Sequence, residues 1–509
     1  MKRLLFAALL LAPLSLLTVP VDAAVTRTPK NAVVSVSSSG APGDYDSGGI
    51  ADSAANRSEV SISSDGRYVA FHSIAGTLTP DDTNNRSSVF VRDRDVDGDK
   101  VFDEAGQVRT VLVSQGTNGE QTYGQGSSSP YLSRDGRFVT FESYEALVPE
   151  DTNGAGDIYV RDRDTDKDGV YDEAGAVSTS RVSVGPEGQQ GNNASMEPVI
   201  TPDGRYVVFS SIAATLLPAD PDFLQDIYLR DRDTDDDGVF DEPDTVDTQL
   251  VTQLPGGGHE QTTSALPTIS PDGRFILWET LAQGWVAGDT NRAADIYVRD
   301  RDADGDGVLD ESGDLTTRRL SVGLGGADTN QESQEAAISD NGRFVTFSSQ
   351  ASNLVKNDTN EVRDIFVVDR DRDRDGIFDE PGATSTKRVS LSSTGRQSDG
   401  RSVGPTISAD GRVIVFESSA TNLDVQSGLW GVYLRDRDAD RDKIYDEKSG
   451  SITTILSLSR SNGPADGSSF TPVVSANRRW VAFTSMAENL VKGQANNNRT
   501  DVFVRGPLG

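Results

Sequence analysis

Apolar residues in this chain come in short β-branched and aromatic runs, separated by polar turns rich in Asp, Asn and Gly. No stretch between these runs carries the three-to-four-residue apolar spacing of an amphipathic helix, so the pattern predicts strands throughout. The most regular run follows Ser-x-Asp-Gly-Arg. It reads Asp65-Gly-Arg-Tyr-Val-Ala-Phe71, Asp135-Gly-Arg-Phe-Val-Thr-Phe141, Asp203-Gly-Arg-Tyr-Val-Val-Phe209, Asp272-Gly-Arg-Phe-Ile-Leu-Trp278, Asn341-Gly-Arg-Phe-Val-Thr-Phe347 and Asp410-Gly-Arg-Val-Ile-Val-Phe416, with a degraded seventh copy at Asn477-Arg-Arg-Trp-Val-Ala-Phe483. The turn glycines Gly66, Gly136, Gly204, Gly273, Gly342 and Gly411 are 70, 68, 69, 69 and 69 residues apart. A fixed period of this kind makes the chain one array of like units.

Each unit holds four β-type segments, here called a to d. In the second unit they fall at 130–133, 137–143, 157–161 and 178–184, with Asp-Gly making the turn from a to b. Four short antiparallel strands per unit, repeated radially, define a β-propeller blade. The seventh unit ends at Asp501-Val-Phe-Val-Arg505, which matches segment c and leaves the unit without a d. Val33-Val-Ser-Val-Ser37 matches the d segments of other units, such as Arg181-Val-Ser-Val184, and precedes the first a. The prediction is therefore an all-β, seven-bladed propeller of four-stranded antiparallel blades, in which an N-terminal strand completes the last blade and removes the open edges. Antiparallel order places the a-b turns and c-d loops on one face, and the b-c and d-a loops on the other.

The c-d loops change the picture from fold to chemistry. Asp162-Arg-Asp-Thr-Asp-Lys-Asp-Gly-Val-Tyr-Asp-Glu173 is one of six copies, the others starting at Asp93, Asp231, Asp300, Asp369 and Asp436. Alternate carboxylates followed by a turn glycine gather oxygen ligands round a hard cation, and the spacing predicts calcium, which accepts six to eight oxygens in flexible cages. The candidate ligands are Asp95, Asp97, Asp99, Asp103 and Glu104; Asp164, Asp166, Asp168, Asp172 and Glu173; Asp233, Asp235, Asp237, Asp241 and Glu242; Asp302, Asp304, Asp306, Asp310 and Glu311; Asp371, Asp373, Asp375, Asp379 and Glu380; and Asp438, Asp440, Asp442, Asp446 and Glu447. Lys100 and Lys443 replace the turn glycine, so the first and sixth of up to six sites are expected to be weakest.

The formal charge of −32 is largely local, since these loops hold 37 of the 80 acidic residues. An anionic surface of this kind disfavours nucleic acid and anionic lipid. Lys2-Arg3, the apolar run that follows, and Val21-Asp-Ala23 have the three regions of a secretory signal peptide, which gives a signal at 1–23 and a single propeller domain over 24–509. No later apolar run is long enough for a membrane helix, and there is no Cys to form a disulfide. The expectation is an exported protein, outside the cell or at its surface in preference to the periplasm.

The run Ser-x-Asp-Gly-Arg-Tyr-Val-Ala-Phe, then Asn-Leu-Val, Asp-Thr-Asn, Asp-Ile-Tyr-Val-Arg-Asp and Arg-Val-Ser, resembles the TolB-type, WD-like propeller repeats of bacterial exported proteins. The resemblance covers the whole mature chain and implies the propeller fold; for function it leaves partner-binding platforms, hydrolases, lyases and structural rings all open. The Asp-rich insertions are similar to thrombospondin type-3 calcium loops. They differ from an EF-hand in having an acidic pair at the ninth and tenth positions and, for instance, Gly175 at the twelfth.

Catalytic constellations are scarce. His72 in strand b of the first unit and His259 in a d-a loop are the only histidines, and neither suggests a triad or a His-rich metal cluster. The Asp-Gly-Arg triplets read as tight turns whose Arg pairs with a neighbouring blade. The Asp-Thr-Asn triplets at Asp82, Asp151, Asp289 and Asp358 read as capped turns, with a second oxygen-rich ring as the alternative. Trp278, Trp285 and Trp480 read as packing, and Trp430 as an exposed contact. The function expected is a non-enzymatic interaction or structural module with a protein or glycan partner. The rivals are a calcium-dependent propeller hydrolase or lyase and a periplasmic TolB-like platform.

Overall fold

A computed structural model describes residues 29–49, 59–84, 86–121, 124–254, 258, 262–311, 313–424, 428–447, 449–493 and 499–509. The expected signal peptide and His259 lie outside the described residues. The strands form seven four-stranded antiparallel sheets in the order a-b-c-d, which are the seven blades. In the second blade these are Ser127–Leu132, Phe138–Ser143, Asp157–Asp162 and Ser178–Arg181. Among the described residues no helix is long and apolar enough to cross a membrane.

The ring closes as the repeat count requires, with one adjustment. Lys30–Val33 pairs antiparallel with Asp501–Gly506, in the register Lys30 to Gly506 through Val33 to Phe503. The closing strand is thus earlier than 33–37. Val34 still donates its N–H to the Val502 carbonyl, but Ser35 replaces the ladder with its side chain, accepting from the Val502 N–H and donating to Asp501. The second blade does the same at Val182 and Ser183, so the Val-Ser signature marks the end of strand d, just past its ladder.

Between blades the core is made by the two faces of each sheet. Phe71, Phe141, Phe209, Trp278, Phe347, Phe416 and Phe483 are all fully buried on strand b. Burying an aromatic of this size stabilises by about 1.5–3 kcal/mol, and the repetition welds each sheet to the next. Trp278 packs edge-on to Trp285 at 5.2 Å between ring centroids. Trp430 is half-buried and leans on Phe470 of the next blade, so it is not the free surface contact its loop position suggested.

Strand a lines the central channel and carries a bulge in blades two to seven, where Ser129, Glu197, Leu266, Glu335, Gly404 and Thr471 have left-handed φ of 47–64°. The bulge turns a backbone N–H toward the preceding blade. Leu266, Glu335, Gly404 and Thr471 donate to Glu197, Glu279, Glu335 and Glu417 at 2.7–3.0 Å, which ties blade to blade round the axis.

Candidate metal centres

The Asp-rich loops leave strand c on the same face as the a-b turns. Their first residue anchors the hairpin. Arg137 of the Asp-Gly-Arg turn holds Asp162 with two bonds of 2.9 and 2.7 Å, and the same pair recurs in the first six blades, as Arg67 with Asp93 and Arg412 with Asp436. This corrects the expectation that the turn Arg reaches a neighbouring blade. Phe138 lies opposite Asp162 in the b-c ladder, so the residue before it meets that carboxylate within one sheet.

Contact with the neighbour falls instead to the next Arg, inside the loop. Arg163 is 1% exposed at its side chain and donates to the Gly136 carbonyl at 2.6 Å, and its guanidinium lies 4.8 Å from the Tyr68 ring of the preceding blade and 5.1 Å from Tyr171 of its own loop. Gly136 has φ of 80°, and a Cβ there would meet Tyr68 at 2.5 Å, so both the turn and the blade contact need glycine. The guanidinium's charge is met by Asp172, with bonds at 3.0 Å from Nε and 2.6 Å from Nη2. Equivalent pairs are Arg94 with Asp103, Arg232 with Asp241, Arg301 with Asp310, Arg370 with Asp379 and Arg437 with Asp446. Six of the candidate ligands, the Asp of each Asp-Glu pair, are therefore engaged by a buried arginine.

The remaining loop carboxylates converge. Asp95, Asp97 and Asp99 bring one oxygen each within 4.8 Å of one another, as do Asp164, Asp166 and Asp168, Asp233, Asp235 and Asp237, and Asp302, Asp304 and Asp306. The first of each trio is buried and the other two are exposed. Asp164 organises its loop by accepting from the Asp168 and Gly169 N–H groups at 3.1 and 3.0 Å. Asp371 does the same with Asp375 and Gly376. Carboxylates at such spacing repel by about 0.9 kcal/mol per pair even at the dielectric of water. Local loss of solvation and the neighbouring Asp168 hold the Asp166 carboxyl above its usual range, and the same loss with Asp237 does so for Asp235. At the turn position Lys100 and Lys443 take φ of 70°, the left-handed conformation that Gly169, Gly238, Gly307 and Gly376 adopt at 80–91°. The loop path is kept there, and the strain falls on a side-chain-bearing residue.

On the opposite face the Asp-Thr-Asn triplets form capped turns, with counter-ions at Asp151, Asp289 and Asp358; in the first blade Leu112 stands at the arginine's register position, and Asp82 has no ion pair among the described residues. Asn153 accepts from the Ala155 N–H and donates to Asp157, while Arg181 lies 3.0 Å from Asp151 and 3.5 Å from Asp157. Arg319 serves Asp289, Asp295 and Asp328, and Arg388 serves Asp358 and Asp364. The third blade departs from this. Leu250 stands at the register position of Arg181, and Asp222 replaces the Asn, so Asp220, Asp222 and Asp226 form a further group with oxygens within 4.8 Å. The sequence reading missed this group because Asp220-Pro-Asp222 breaks the Asp-Thr-Asn pattern; the signal was that break.

The channel holds a cavity of about 220 Å³ lined by strand a, with Val60, Ile62, Tyr131, Ile200 and Ile338 on its walls. Arg134 of blade two crosses it to pair with Asp340 of blade five. Toward the bulged end lie Glu59 and Glu142, pushed up to about 8 and about 7 by burial, with Glu417 and Glu197 respectively adding like charge. His72 occupies the strand-b position of Glu142; burial lowers it to about 4, and its Nδ1 is buried without a hydrogen bond. At this end Ser210 donates to Glu197 at 2.9 Å, and the same carboxylate oxygen accepts from the Leu266 N–H of the next blade and from the Gln225 amide, which holds it as a structural acceptor.

No protein-family model matches the chain, and no curated protein matches it in sequence. Solved structures similar to it include TolB from Acinetobacter baumannii, at 16% identity and a TM-score of 0.32 over 70% of this chain and 60% of that one. The match thus spans less than two thirds of that TolB. The β-propeller domain of the Trilobed protease from Pyrococcus furiosus follows at 10% identity, TM-score 0.44, over 88% and 94%. Oligogalacturonate lyase from Vibrio parahaemolyticus is similar at 11% identity, TM-score 0.45, over 94% and 97%. At such identities the likeness concerns the fold alone.

Proposed function

We propose that this protein is an exported, calcium-binding propeller that acts without catalysis, as an interaction or structural module outside the cell or at its surface. The observation that carries the reading is the convergence of three loop carboxylates in blade after blade, with the first one buried. A solvated polar turn would spread like charges apart; a loop that draws them within 4.8 Å is suited to a cation that offsets their repulsion. Calcium suits the all-oxygen, multidentate and partly exposed set better than magnesium, which demands near-ideal octahedral geometry. Extracellular calcium modules bind with constants of about 10⁻⁴ to 10⁻³ M, within the range of calcium outside cells. Export is supported by the N-terminal basic and apolar segments. The non-catalytic reading is supported by repetition: the polar groups of the loops recur blade by blade, and Glu197, Glu279, Glu335 and Glu417 of the channel accept from bulges of the next blade. Equilibrium dialysis against millimolar calcium counts the ions. Four to six per chain is the expected result, and a count near zero contradicts the reading.

A further inference from the structure

The two acidic residues that end each loop are chemically alike and adjacent, yet their surroundings differ. In the fourth blade, Asp310 has left-handed φ of 64° and accepts from Arg301, whose guanidinium is 3% exposed, donates to the Gly273 carbonyl at 2.6 Å and lies 4.6 Å from the Tyr206 ring of the preceding blade. Removing Asp310 from this pair to serve a metal would leave a buried guanidinium without its carboxylate. Stripping a buried guanidinium of its partner is strongly destabilising, so the pair holds Asp310 against recruitment by a metal.

The carboxylate trio beside it is short of donors. Asp302 is 5% exposed, and its Oδ1 is buried with no hydrogen-bond partner, although the side chain belongs to the group whose oxygens lie within 4.8 Å of Asp304 and Asp306. A buried carboxylate oxygen without a donor is costly unless a cation takes the donor's place. Glu311 is the remaining acidic residue of the pair. Its stretch of backbone runs along the trio: the Asp310 N–H donates to the Arg301 carbonyl at 2.8 Å and the Ala303 N–H to the Asp314 carbonyl at 3.1 Å, which brackets Glu311 beside Asp302 and Asp304. The sixth blade repeats this, with the Asp446 N–H donating to the Arg437 carbonyl at 2.8 Å and the Ala439 N–H to the Gly450 carbonyl at 2.6 Å on either side of Glu447.

We infer that the pair divides its work: the Asp is a positioning residue that locks the loop arginine to the preceding blade, and the Glu alone closes the calcium site. This rests on the calcium reading above. The ligand set in the fourth blade is then Asp302, Asp304, Asp306 and Glu311, with Asp310 outside it. The same division applies to Glu104, Glu173, Glu242, Glu380 and Glu447.

Three forms of the full mature chain test this: the wild type, Asp310→Asn, and a chain in which all six pair glutamates are changed to Gln. Each is titrated with calcium alone by calorimetry and melted in chelator. The glutamate variant is expected to bind calcium at least 10-fold more weakly while melting in chelator at or above the wild-type temperature, because the changes are on partly or fully exposed side chains that repel their neighbours. Asp310→Asn is expected to keep the wild-type ion count and to melt lower in chelator and in calcium alike. Full-strength binding by the glutamate variant, or loss of one ion from Asp310→Asn with an unchanged chelator melt, overturns the division while leaving the calcium reading intact. Absence of binding by the wild type overturns both.

Discussion

The two faces of the ring carry the same residue type in the same repeated positions and use it in opposite ways. On the b-c face, Asp289 and Asp295 are buried and Arg319 sits between them and Asp328 at 2.7–3.5 Å. On the c-d face, the loop arginine goes to Asp310, and Asp302, Asp304 and Asp306 are left within 4.8 Å of one another. Whether an acidic cluster is a finished ion pair or a candidate metal site is thus decided by where the guanidinium goes. Counting carboxylates does not decide it. The channel holds a third case: Glu59 and Glu142 have no ion pair with an arginine among the described residues, and burial moves them toward the neutral form.

The largest effect expected from breaking this contrast is on the b-c face. Arg319→Ala leaves three carboxylates, two of them buried, without their cation and should destabilise the ring by about 3–5 kcal/mol, equally in chelator and in calcium. Urea unfolding measures it. A loss seen only in chelator would mean that a metal and the arginine are interchangeable there.

The next effect concerns pH. A glutamate raised in the folded state holds its proton more tightly than in the unfolded chain. Its contribution to stability is full below about 4.5 and is lost as pH rises through the folded value. His72, lowered to about 4, acts in the opposite sense, but only below about 6.5. Between pH 6.5 and 8 the glutamates act alone, so stability in chelator should fall across that window, by at most a few kcal/mol. Glu59→Gln should flatten the fall and raise the melting temperature at pH 8. An unchanged slope for this variant would place the titration elsewhere.

The smallest effect sharpens the contrast within one face. Lys100→Gly and Lys443→Gly each relieve a left-handed side chain, worth about 1 kcal/mol, and remove a positive charge from the loop. Calcium affinity of the first and sixth sites should tighten several-fold in calorimetry, and the ion count at low calcium should rise toward six. Unaltered affinity would show that the backbone path kept by the lysines is sufficient.

The propeller was legible because its information is repeated: seven copies of the strand-b run, the spacing near 69 residues and the missing last strand d each fix the blade count independently. The site was legible only in part. Asp-x-Asp-x-Asp spacing marks the converging trio, but composition cannot tell which member of Asp310-Glu311 meets an arginine, since that depends on Arg301 being pressed between blades. A signal was available in the constant nine-residue interval from Arg to Asp in all six loops, for instance Arg94 to Asp103 and Arg437 to Asp446. The turn Arg was misassigned for a related reason: the partner choice of Arg137 follows from the b-c register, which a pattern of residue types does not contain. The roles of Glu197, Glu279, Glu335 and Glu417 were hidden because each accepts from a bulge in the next blade, a contact between residues such as Glu197 and Leu266 that lie one whole unit apart.

Thermal unfolding in chelator against millimolar calcium tests the central claim most directly, because each loop joins strands c and d and a bound ion is linked to the folded blade. Free calcium at about 100 times the dissociation constant adds about 2.7 kcal/mol per independent site. With several sites per ring, the account predicts a melting temperature that rises by many degrees and continues to rise with calcium concentration. A melting temperature that is the same in chelator and in millimolar calcium would contradict it.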